Sequence, residues 1–286
     1  MSQNEQNLQL QDNHSSLFNP NVDRKHPLAI KLRKQITEGL SDYNMIQNND
    51  RVMICVSGGK DSSILTILLD EIRKRAHIQF TIQAVLLDQK QPGFQIESYR
   101  NWLKSEDIDF HMIEKDTYSI VKEKITDGIY CSLCSKMRRA ILYDYAFQNN
   151  FDVMALGHHR SDIIETTLLN LFYTGKMASM PPKLLSDDKR NVIIRPMLYI
   201  NESDIFELAQ IWNIPIIPCN LCGSQENLKR KKMKQLILDL EKSIPGLSSS
   251  FITALQNGNP SHLLDQNLFN FKNLHFEKIK QENKIN

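Results

Sequence analysis

The sequence predicts an α/β domain: an open parallel sheet with helices on both faces, followed by a small helical extension. Three observations carry this. Short apolar runs alternate with amphipathic segments through the middle of the chain, the order that builds a parallel sheet covered by helices. The runs are continuously apolar, as strands buried on both faces are. The chain has 286 residues, 41% of them hydrophobic and 24% charged, enough to bury a core without disulfide or metal staples.

Residues 1–25 are rich in Asn, Gln, Asp and Ser and lack a periodic apolar pattern, so they read as a mobile tail. The main domain spans 26–225. The first strand is Val52–Val56, and Asp61–Arg75 follows as a helix with Ile64, Leu65, Leu68, Leu69 and Ile72 on one face. Ile82–Leu87 is the second strand and Ile108–Ile113 a weaker third. Arg139–Gln148 is helical, Val153–Leu156 is the fourth strand, Asp162–Tyr173 is the next helix, and Val192 opens a fifth strand. Residues 226–275 form a basic helical extension, and 276–286 a second tail. No apolar run approaches the ~18 residues of a membrane span. The N-terminus has neither the basic start nor the apolar stretch of a signal peptide. The expectation is a soluble, cytoplasmic protein.

Lys and Arg number 35 against 33 Asp and Glu, a net charge of +2. Any nucleic-acid surface must therefore be a local patch. The candidate is Leu228–Lys234 (LKRKKMK), extended by Arg160, Lys176 and Lys183. A solvated helix face reads the same way.

Only 10 glycines occur, yet Gly58 and Gly59 are adjacent in Ser57-Gly-Gly-Lys-Asp-Ser62, between the first strand and first long helix. Glycines let backbone N–H groups approach a phosphate, and a helix N-terminus adds free N–H groups and a positive dipole end. Ser57 and Ser62 carry hydroxyls, Lys60 a mobile charge, and Asp61 an oxygen ligand for Mg²⁺. The plainer alternative is a strand-to-helix turn with glycines serving geometry.

Five cysteines argue for metal or redox chemistry over a disulfide framework. Cys131 and Cys134 form CSLC before a helix, and Cys219 and Cys222 form CNLC after IPIIP. Two distant CxxC pairs indicate one shared metal site, and the spacing fits either a structural zinc or an iron–sulfur cluster. Cys55, inside the first strand, reads as a small buried thiol.

SGGKDS resembles the PP-loop of enzymes that split ATP between its α and β phosphates. That resemblance implies a Rossmann-like sheet and adenylation chemistry. With the cysteine pairs the resemblance narrows. LLDQKQPGF, CSLCSKMRR, LGHHRSD, GKMASMPPKLLSDD, VIIRPM, PCNLCGSQ and PSHLLDQNLFNF look like the tRNA 2-thiocytidine synthetase (TtcA) family from about Lys31 to Phe271. The resemblance implies ATP- and Mg²⁺-dependent thiolation of cytidine 32 in tRNA. It implies a 4Fe–4S cluster on Cys131, Cys134 and Cys222, which leaves one iron open for sulfur, and leaves Cys219 over. It implies sulfur from a cysteine desulfurase system and a homodimer. Lys60, Asp61, Arg138 and Asp162 are the implied catalytic residues. Ser57, Gly58, Gly59, Lys60, Asp61, Ser62, Leu87, Asp88 and Gly157 are the implied nucleotide contacts. The family carries two acids where this chain has Ser161 and Asp162, so a capping role passes to Ser161. His158 and His159 read as polar loop residues. The competing readings are a lysidine-synthetase-like enzyme with structural zinc and a non-catalytic RNA-binding iron–sulfur protein.

Overall fold

Strand β1 (Arg51–Val56) divides its side chains by parity between two cores. Val52, Ile54 and Val56 enter the larger core, while Met53 and Cys55 enter the smaller one on the opposite face. Strand β2 (Thr81–Asp88) repeats this, with Ala84 and Leu86 on one face and Val85 and Leu87 on the other. A strand whose successive residues are all apolar needs helices on both sides. The structure, a computed structural model, describes residues 22–90, 96–124, 130–217 and 225–274.

Helix α1 (Pro27–Asp42), α2 (Lys60–Arg73), α3 (Ile96–Ser105) and α7 (Glu202–Ile211) contribute to the larger core. Helix α5 (Tyr130–Gln148) covers the other face through Leu142 and Ala146. The remaining strands are β3 (Phe110–Glu114), β4 (Val153–Leu156), β5 (Lys183–Leu185) and β6 (Val192–Ile194). The sheet order is β3-β2-β1-β4-β6-β5, parallel except for β5, which runs antiparallel to β6. The strand order reverses between β1 and β4. Ligands bind at such a switch point, outside the carboxyl ends of the strands.

Helix α4 (Tyr118–Lys124) precedes α5, and α6 (Arg160–Thr174) follows β4. Helices α8 (Gln225–Ser243) and α9 (Leu247–Gln256) form the extension and pack on α6, burying Met233, Ile237 and Ile252 in the larger core.

Four sequence expectations shift. The third strand starts at Phe110, two residues late, because the chain reverses through Asp107 at φ 55° after α3 ends. Strand β5 was not anticipated. Three residues carry too little pattern, and it exists because Ser186 and Asn191 close a turn onto β6 (N···O 2.8 Å). Helix α5 begins nine residues before the expected Arg139, so the CSLC pair lies within its first two turns. Of the expected N-terminal tail, residues 22–25 are tied down. Arg24 bonds Glu71 at 3.0 Å, and the Asp23 carbonyl accepts from Trp212 Nε1 at 3.2 Å. The rest of that tail, and residues 276–286, lie outside the described residues, as do Cys219 and Cys222.

Candidate active site

The phosphate loop leaves β1 and turns into α2. Gly58 has φ +77°, the left-handed region that glycine tolerates, and an added Cβ there would lie 2.8 Å from Ile217. Gly59 is the N-cap of α2 and has no side chain to satisfy the first-turn amides. Those amides stay available to an anion. The serines brace the loop itself: Ser57 N donates to Ser62 Oγ at 3.1 Å, Ser62 Oγ donates to Gly59 O, and Gly59 N donates to Ser57 Oγ.

The chain leaving β4 meets this loop across the switch point. A Cβ on Gly157 would stand 2.9 Å from Ser62 N and 3.1 Å from the Asp61 carbonyl carbon. Both are backbone atoms that cannot yield. Gly157 therefore sets how closely the β4 end and the first turn of α2 approach.

Next comes His159, which is buried and is the N-cap of α6. Its backbone N–H donates to Asp162 Oδ2 at 3.0 Å, and its Nε2 lies 3.4 Å from that oxygen and 3.8 Å from Asp61 Oδ1. His159 is thus a buried part of the site, which corrects the polar-loop reading. Ser161 is the second residue of α6, behind the cap position, so the capping role expected of it belongs to His159 and Asp162. His158 is pushed down to about 4 by burial and is neutral at physiological pH.

A cleft of about 260 Å³ opens here, lined by Lys60, Asp61, His159, Asp162, Glu165, Glu202, Arg230, Lys231 and Lys234. Lys60 Nζ bonds Asp61 Oδ1 at 2.8 Å and lies 3.6 Å from Glu202 Oε1. Burial works against the Lys60 charge, but Asp61 and Glu202 hold its pKa above the ordinary lysine value. Glu202 Oε2 takes Lys234 at 2.6 Å, and Arg230 reaches Asp162 Oδ1 at 3.3 Å and Glu165 Oε2 at 3.9 Å. Burial, then the Asp162 charge, pushes Glu165 up to about 7.

The sequence reading missed Glu165, Glu202 and the inward orientation of Arg230 and Lys234. Glu165 lies three residues after Asp162 on α6, a helical spacing that places both on one face. Glu202 opens α7, and nothing local marks it. The basic run is split by its helix: Lys229 lies over the Tyr173 ring at 4.6 Å and is exposed with Lys232, whereas Lys231, also exposed, lines the cleft with Arg230 and Lys234. Arg160 bonds Asn201 and Ser249 Oγ, and Lys183 bonds the Asn44 carbonyl, so both are engaged inside the fold.

Strand β2, next to β1, ends at the second element of the site. Leu87 is buried in the smaller core, and Asp88 accepts the Lys90 N–H at 2.7 Å. The buried Gln89 donates from Nε2 to Thr117 Oγ1 at 2.7 Å and to Cys134 Sγ at 3.3 Å. Cys134 is half-buried on α5. Arg138 follows it by one turn, and its charge is felt at Cys55. Cys55 itself is buried and free, its thiol pushed up to about 12 by burial, as expected for a structural cysteine. No three His, Cys, Asp or Glu residues converge as a metal site among the described residues.

A glycine loop opening a helix at the switch point of a parallel sheet defines a nucleotide-binding α/β protein of the PP-loop class. Residues 27–218 match the PP-loop domain family, and the chain belongs to it. Relatives narrow this further. A tRNA-cytidine(32) 2-sulfurtransferase from Bdellovibrio bacteriovorus is 57% identical over 253 residues, 88% of this chain and 98% of its own. One from Pseudomonas aeruginosa is 50% identical over 255 residues, 89% and 93% of the two chains. The chain belongs to the tRNA-cytidine(32) 2-sulfurtransferase family. Among solved structures, the U34-tRNA thiolase NcsA from Methanococcus maripaludis, with its 4Fe–4S cluster, superposes with a TM-score of 0.65. It shares 21% identity, covers 80% of this chain and 78% of its own, and attests the fold.

Proposed function

We propose that this chain is an ATP-dependent tRNA sulfurtransferase that converts cytidine 32 to 2-thiocytidine. The observation that carries the reading is adjacency. The phosphate loop follows β1, the Gln89–Cys134 pair follows β2, and β1 and β2 are neighbours with the same polarity. Activation and sulfur delivery then share one carboxyl edge.

The chemistry requires both. A cytosine C2 oxygen is a poor leaving group. It attacks the α-phosphorus of ATP, a P–O bond forms, and pyrophosphate departs with the electron pair of the broken bond. A sulfur nucleophile then attacks C2, and AMP leaves carrying the former C2 oxygen. The α2 amides and Lys60 stabilise charge on the phosphates. Arg138, on the helix that bears Cys134, is the second cation proposed for the reacting centre. Asp61 and Asp162 are oxygen donors in one cleft, the kind that hold Mg²⁺ together with substrate phosphates. Holding the activated carbon beside the sulfur lowers the barrier by proximity.

The proposed cluster ligands are Cys131, Cys134 and Cys222. Of these thiols, Cys134 alone lies among the described side chains. A half-buried sulfur with a fixed amide donor suits a cluster ligand, because hydrogen bonds to the sulfur tune such centres. Held by these three cysteines, such a cluster would supply the iron that binds sulfur for transfer. The exposed cations of α8 outside the cleft lining, Lys229 and Lys232, are proposed to meet tRNA phosphates. A cysteine desulfurase system as sulfur source, a homodimer and a cytoplasmic setting complete the proposal. No helix among the described residues is long and apolar enough to cross a membrane.

The test is iron, acid-labile sulfide and thiolated tRNA, measured on protein purified without oxygen, for wild type and Cys222→Ala. About four iron and four sulfide per chain, lost in the variant together with 2-thiocytidine, are expected. About one zinc and no sulfide would refute the cluster and leave the ATP half standing.

A further inference from the structure

The cleft is lined by four cations and four carboxylates besides His159. Three of the cations, Arg230, Lys231 and Lys234, come from α8, which lies outside the matched PP-loop domain at 27–218. Arg230 and Lys234 stand one helical turn apart, and each, though partly exposed, is ion-paired with carboxylates of the cleft.

Their partners are the site's own acids. Lys234 holds Glu202, Glu202 faces Lys60 of the phosphate loop, and Arg230 faces Asp162 and Glu165. Glu202 thus links the loop lysine to α8 as a bridge of opposite charge. Apart from the Lys234–Glu202 and Lys60–Asp61 contacts, the separations are 3.3 to 3.9 Å, beyond the roughly 2.7–2.9 Å of a settled charge-assisted hydrogen bond. The set is balanced in charge, open to solvent and incompletely closed.

We propose that Arg230 and Lys234 are phosphate-binding residues of the ATP site, held by Asp162, Glu165 and Glu202 until nucleotide arrives. This rests on the PP-loop reading of the cleft and extends it to a helix that reading does not include. ATP brings negative phosphates together with a divalent cation. The carboxylates turn to the cation and the arginine and lysine to the phosphates, so every charge stays paired through the exchange.

The test is calorimetric titration of the full-length protein with three probes: a non-hydrolysable ATP analogue with Mg²⁺, inorganic pyrophosphate alone, and AMP. The variants are Arg230→Met, Lys234→Met and Glu202→Gln, with Lys242→Gln as a control at the exposed end of α8. Losing one cation–phosphate contact is expected to weaken the ATP analogue and pyrophosphate about tenfold or more, while AMP, lacking the outer phosphates, changes little. Glu202→Gln removes the competitor for Lys60 and Lys234, so it is expected to bind pyrophosphate several-fold tighter. That sign is one a merely folding-related role would not produce. Thermal melting checks that each variant is folded. If wild type binds the analogue while both α8 variants match it, or lose AMP equally, the assignment to the phosphates is wrong. Weaker pyrophosphate binding by Glu202→Gln overturns the exchange. No analogue binding by wild type overturns the ATP reading itself, and the assignment with it.

Discussion

The two ends of α2 hold similar charges in opposite arrangements. At its C-terminal end, Asp70 and Glu71 meet Arg24, Arg33, Arg73, Lys74 and Arg75, and Glu106 joins through Arg24. Those acids are sealed: the side chains of Asp70 and Glu106 are each 2% exposed. At its N-terminal end, Asp61 is 32% exposed, Asp162 20% and Glu202 27%, around an open cleft. Burial with several, mostly short contacts makes an ion cluster that locks the N-terminal segment onto α2. Partial exposure with mostly long, shared contacts makes one that can trade partners. A list of ion pairs alone would not separate them.

The largest effect expected is at the open end. Asp61→Ala removes the oxygen donor proposed for Mg²⁺ and the partner of Lys60. It is expected to reduce tRNA-dependent AMP formation by about a thousandfold, or about 4 kcal/mol of barrier, with iron content and melting temperature near wild type. AMP release is measured on anaerobic protein. Persisting turnover would mean that the reacting phosphate lies elsewhere. At the closed end, Arg24→Ala leaves Glu106 without its ion partner. Breaking such a buried pair costs about 3 kcal/mol, so denaturant unfolding is expected to show a clear loss of stability. The KM for ATP is expected to stay near wild type. A shifted KM with unchanged stability would erase the distinction between the two ends.

Much of this was legible in the residues because the signals are local. Five strands, the helix after SGGKDS and the switch-point site follow from apolar runs and adjacent glycines. Glu202 was invisible because it reaches the site only through tertiary packing, on a helix 142 residues after Lys60. Arg230 and Lys234 looked like members of a solvated run, since a charge string does not say which third of it faces inward. His159 looked like a polar loop residue because its partners, Asp61 and Asp162, come from two different helices. The buried network at the far end was equally hidden: Arg24 stands in a segment whose composition resembles a tail.

A smaller effect tests the outward side of α8. Lys229→Gln with Lys232→Gln is expected to weaken tRNA binding and to flatten the plot of log affinity against log salt by about 1.5, two phosphate contacts at roughly 0.7–0.9 each. ATP affinity is read in the same protein. An unchanged slope would remove these lysines from the RNA surface, and a change confined to ATP would mean that the helix is not divided into two faces.

The smallest effect extends the contrast from carboxylates to thiols. Cys134 is half-buried beside an amide donor, whereas Cys55 is sealed in β1 and its thiol is pushed up to about 12 by burial, with the Arg138 charge opposing. A thiol near its ordinary value of 9.0 in the unfolded chain loses its proton before the folded one does. Between about 9 and 12 the folded state therefore binds more protons, and stability falls as pH rises through that window. Below it Cys55 contributes no pH dependence. Alkylation of the metal-free protein at pH 8, read by peptide mass spectrometry, is expected to label Cys134 and spare Cys55. Cys55→Ala is expected to keep full iron content. Rapid labelling of Cys55 in folded protein would show that the smaller core opens to solvent, and the division between sealed and exchangeable groups would then not extend to this face of the sheet.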